Sequence, residues 1–92
     1  MGLDQLVYAN GEEIFYFRKN YVLHDYVVDN CPCLPCSEQY ETYHLITVND
    51  MIDVLLLLSS KSESYYKINH LVKLVKYMVE HPDKTYILNH SW

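Results

Sequence analysis

Glycine and proline are scarce, with two Gly and three Pro in 92 residues. That excludes collagen-like and linker-like chains. The glycines stand only at Gly2 and Gly11, so there is no glycine-rich loop to cradle a phosphate. Arginine occurs once, at Arg18, in a chain of net charge -5. A nucleic-acid binder needs a basic patch, so this balance argues against one. No stretch approaches the about 18 apolar residues of a membrane-crossing helix. The opening segment has no basic region ahead of an apolar run, so no secretion signal is expected. The three cysteines are an odd count, all packed into Cys31 to Cys36, whereas a secreted scaffold spreads an even number along the chain. No Ser or Cys nucleophile stands in a recognisable frame, and acidic pairs such as Glu12 and Glu13 are adjacent rather than convergent. A non-enzymatic protein without cofactor is the expectation.

What is present is half apolar and rich in tyrosine: ten Tyr against two Phe and one Trp. Tyrosine combines a flat apolar body with a polar tip, which suits half-buried positions and contact surfaces. Charge is uneven, because residues 1–60 carry -7 and residues 61–92 carry +2. The length predicts a single domain over residues 1–92.

Leu3 to Ala9 reads as a strand, and Asn10-Gly11 as a turn. Glu12 and Glu13 would then open a helix, because Ile14, Phe17, Tyr21, His24 and Val28 fall close to one helical stripe, ended by Asn30 and the following Cys-Pro. Residues 31–42 read as a loop, and Tyr43 to Ile46 as a strand. Thr47 and Asp50 have capping-box spacing, so a second helix is expected over about Val48 to Leu58, with Met51, Val54, Leu55 and Leu58 inward. A polar linker at 59–64 precedes a third helix, about Tyr65 to Glu80, and Thr85 to Leu88 reads as the last strand. The expected fold is α+β: a small three-stranded sheet with about three helices on it, in the order β-α-β-α-α-β.

Two constellations could carry chemistry. Cys31, Cys33 and Cys36, with His24 or His44 as a fourth ligand, could hold a tetrahedral zinc, against a reduced exposed loop as the plainer reading. The second is cationic and aromatic: Arg18, Lys19, His24 and Tyr26 of the expected first helix, with Trp92, could form a pocket for an anionic nucleotide. Trp92 itself is expected to pack back near the first helix, its carboxylate meeting Arg18 or a Lys.

Several pieces together resemble a family of small tailed-phage proteins. They are Met1-Gly2-Leu3-Asp4 with Tyr8, the run Glu13 to Lys19 through His24, Thr47 to Leu58, Tyr65-Tyr66, and Tyr86 to Trp92. Phe17 stands where the family pattern has Trp, and the Cys-Pro loop departs from it. The resemblance implies no activity. It implies a viral protein in the cytoplasm of an infected bacterium, where a protein of this size would bind and inhibit a host or defence factor. A sponge for a nucleotide signal and a zinc-stabilised interaction module are the alternatives. The partner is then a bacterial host protein, with self-association left open.

Overall fold

The computed structural model describes residues 3–34, 41–61 and 65–91. It is α+β, with three helices and one five-stranded antiparallel sheet. The elements are β1 (Asp4–Ala9), β2 (Glu12–Arg18), α1 (Tyr21–Asn30), β3 (Cys33–Leu34), β4 (Glu41–Ile46), α2 (Val48–Ser60), α3 (Tyr65–Glu80) and β5 (Tyr86–Ser91). The strand order is β2-β1-β5-β4-β3. The class matches the expectation, but the sheet has five strands rather than three, and the two added strands correct the sequence reading.

The first correction is β2, which replaces the first half of the expected helix. Asn10 and Gly11 both take positive φ, 51° and 86°, and Ala9 pairs with Glu12 across them. This is the two-residue turn whose twist matches a hairpin, so the chain turns straight back along β1. Ile14 misled the periodicity. A β-bulge between Val7 and Tyr8 leaves it as an extra residue, so Ile14 and Phe15 both pack toward the core beside Phe17. A bulged strand thereby imitates helical spacing. The helix starts only after Lys19 (φ 55°), where the Asn20 side chain accepts from the Leu23 N–H at 3.1 Å. The second correction is β3, whose two residues pair with His44 and Tyr43 inside the expected loop.

The rest follows the pattern. The capping box is formed: the Thr47 hydroxyl accepts from the Asp50 N–H at 3.3 Å, and the Asp50 carboxylate takes the Thr47 N–H at 2.9 Å. Met51, Val54 and Leu58 of α2 and Leu71, Leu74 and Met78 of α3 repeat at helical spacing and are buried. They meet Leu23 and Val27 of α1 over the inward residues Val7, Ala9, Phe17, Ile46, Tyr86 and Leu88 of the sheet. All three helices therefore cover one face, and the molecule is 36 × 33 × 20 Å, about two layers thick. α3 also closes the β2 edge. His70 Nε2 donates to the Tyr16 carbonyl at 2.9 Å, and its ring meets Phe15 and Phe17 edge-on.

Cβ has open space around it at Gly11, so Gly11→Ala meets only the backbone cost of positive φ. Urea unfolding is expected to show a loss of about 1 kcal/mol. Thr47→Ala removes the cap and is expected to cost about 1 kcal/mol in the same assay.

Candidate functional site

The alternation of β5 builds two different surfaces. Tyr86, Leu88 and His90 point at the helices, while Ile87 and Asn89 point the other way. On the helix side His90 pairs with Gln5 across β1, and with Thr42 across β4. α1 brings His24 over it, so that the two Nδ1 atoms stand 3.2 Å apart with the rings nearly perpendicular, centroids 4.5 Å apart. The His44 ring lies 5.3 Å from His90 and donates from Nδ1 to the Cys31 carbonyl at 3.3 Å. Three imidazoles from α1, β4 and β5 thus share one buried corner.

His90 is held neutral in that corner. His90 is 0 % exposed, and burial first, then the His24 and His44 rings, push its pKa down to about 4. Burial also lowers His24, against the Asp25 carboxylate, which favours its charged form. A hydrogen bond between two Nδ1 atoms needs one proton, and a second would set two N–H groups facing. Around the pair, the Gln5 side-chain carbonyl accepts from the Asn20 N–H at 3.2 Å, while Gln5 Nε2, Asn20 Nδ2 and His90 Nε2 are buried with no partner among the described residues. Such orphaned groups are costly.

Tyr26 lies further along α1, and Cys31 caps its C-terminus. The Tyr26 hydroxyl donates to the Asp53 carboxylate at 3.0 Å and to that of Asp50 at 3.3 Å, latching α1 to α2. Burial and these two carboxylates raise its pKa. Burial and Asp50 push the Cys31 thiol up to about 12, away from the thiolate that a metal would need. Cys31 points into the core, whereas Cys33 is exposed. Cys36 lies outside the described residues, among which no group of three or more His, Cys, Asp or Glu could hold a metal ion.

The other face of the sheet carries no helix among the described residues. β1 sends Asp4, Leu6 and Tyr8 there, β2 sends Tyr16 and Arg18, β4 sends Tyr43 and Leu45, and β5 sends Ile87 and Asn89. Tyr8, Gly11, Tyr43 and Ile87 line a shallow hollow of about 330 Å³. Asn89, between Leu6 and Tyr43, is only 3 % exposed, and its amide NH₂ has no acceptor among the described residues. At the border the Tyr16 hydroxyl donates to Asp4 at 2.6 Å, with Arg18 paired opposite Asp4.

The sequence-derived cationic group is therefore divided by the sheet. Arg18 stands on the open face, Lys19 is exposed in the link to α1, and His24 and Tyr26 lie on the helix side. Trp92 lies outside the described residues. The groupings that sequence reading did not reach are His24 with His90, and Asn89 with its tyrosine neighbours. The outward Leu6 and Tyr8 alternation was the one local signal for the latter. Comparison of the chain with protein-family models, curated proteins and solved structures finds no match.

The lowered His24 and His90 have a definite pH signature. Between about pH 6.5 and 4 the unfolded chain binds protons that the folded chain refuses, so stability falls as pH drops through this window. Urea midpoints measured across it should show a shallower fall in His90→Leu than in the parent. Equal slopes would remove the imidazoles from the account. Tyr26→Phe removes the latch to Asp50 and Asp53 and is expected to lower stability by about 1 kcal/mol in the same unfolding assay.

Proposed function

We propose that this chain is a non-enzymatic binding protein that docks a bacterial host protein on the open face of its sheet and blocks it. The observation that carries the reading is the make-up of that face. Leu6, Tyr8, Tyr43 and Ile87 lie side by side, and Arg18, Asp4 and Tyr16 form a polar border. An apolar, aromatic centre inside a polar rim is the anatomy of a protein interface, and Tyr and Arg are the residues that most often anchor one. The partner supplies an apolar side chain for the hollow and polar groups to meet the border of Arg18, Asp4 and Tyr16. The resemblance to tailed-phage proteins supplies the setting, the cytoplasm of an infected bacterium.

The test starts with the immobilised full chain and lysate of a bacterial host. Binding of the captured protein is then measured against two variants, Tyr8→Lys and Ile87→Lys, each checked for native fold by circular dichroism. Each is expected to weaken binding at least tenfold, because it sets an unpaired charge into the centre of the contact. Lys73→Glu, on the exposed side of α3, is expected to bind as the parent does. Retention by both sheet variants, or loss in the α3 variant alone, would move the interface off this face.

A further inference from the structure

We propose that the cavity between the start of β5 and the start of α2 binds an alkyl carboxylate, a single aliphatic chain with one anionic head. It measures about 540 Å³, within the span of roughly 300–1,000 Å³ typical of small-molecule sites. It opens at the end of the sheet where β4 runs into α2 and where α3 returns into β5. Ile46, Val48, Met78, Val79 and Pro82 supply its wall. Of these, Ile46 and Met78 are buried in the core, while Val79 is 61 % exposed at the mouth. The cavity is thus an apolar slot that reaches from the core to the surface.

One cation stands in this lining. Lys84 donates from Nζ to the Tyr77 hydroxyl at 3.0 Å and lies 5.5 Å from the centre of the Tyr77 ring. The bond to Tyr77 favours the charged ammonium. Glu12 acts on it only through space, and among the described residues no carboxylate is hydrogen-bonded to it. An ammonium has three donors, and the tyrosine hydroxyl accepts from one. The lysine that lines the slot therefore carries an ammonium, anchored at the Tyr77 hydroxyl, with donors to spare. A single lysine matches one carboxylate, whereas phosphate sites gather several cations or an arginine fork. The flexible thioether of Met78 at the slot's inner wall suits a chain of variable shape. This site is separate from the hollow formed by Tyr8, Tyr43 and Ile87, and it stands whether or not that face docks a protein.

The experiment titrates the full chain, with isotope-labelled methyl groups, with decanoate below its micelle concentration. Saturable shifts are expected at the Val48, Met78 and Val79 methyls, and not at Leu6 or Ile87 on the open face. Decyltrimethylammonium, with the same tail and the opposite head charge, is expected to bind at least tenfold more weakly. Lys84→Met keeps the apolar stem, and is expected to lower decanoate affinity about fivefold while its spectrum stays native. The proposal is overturned if decanoate gives no saturable shift, if the two head groups bind alike, or if natively folded Lys84→Met binds decanoate as tightly as the parent.

Discussion

The sheet is held together by its last strand. β5 lies between β1 and β4 and pairs with both along its whole length, while the β1–β2 hairpin and the β3–β4 pair share no ladder with each other. Neither half can bury its inner face against the other until β5 has entered. The entry joins residues as far apart as Asp4 and Ser91, a contact whose loop closure is costly before it is rewarded. The α2–α3 pair is the device that returns the chain to that slot. It covers the inner face of the same strands it connects, so packing and topology are settled together.

The polarity of β5 divides the molecule again, along its length. At the Tyr86 end the layers are lined by aliphatic side chains and part to leave a cavity. At the His90 end, about 14 Å away at the usual strand rise, the interior is amide and imidazole: Gln5, Asn20, His24, His44 and His90. The polar corner contributes less to stability than an apolar one would, since several of its donors are unmatched among the described residues. What it provides is a narrow geometric requirement for seating α1, because the imidazole pair forms in only one arrangement of helix and strand.

The parts legible in the sequence were those specified by neighbours in the chain. The capping box at Thr47 and Asp50 and the helical spacing of Leu71, Leu74 and Met78 each reside within one turn or one helix, and the structure has them where the sequence put them. The Asn10-Gly11 turn was legible too, but its consequence was not. The bulge at Ile14 broke the strict alternation that would have marked β2, and left a spacing that a helix also satisfies. A two-residue strand such as β3 has no periodicity to detect. The His24–His90 contact spans 66 positions and depends on which strand lies at the centre of the sheet, which no local pattern encodes. Likewise Arg18 and His24, six residues apart, were read on one helix. A strand end, a turn at Lys19 and a cap at Asn20 stand between them, and the sheet places them on opposite faces.

The imidazole of His70 occupies the backbone position at which a second molecule would add a strand. An exposed seven-residue edge such as β2 is an open template, and identical chains that offer one can add strand upon strand into filaments. The Tyr16 carbonyl is already spent on His70, and the first turn of α3 overhangs it. One side chain, reaching sideways from a helix, thus takes up an acceptor on the β2 edge that an added strand would need.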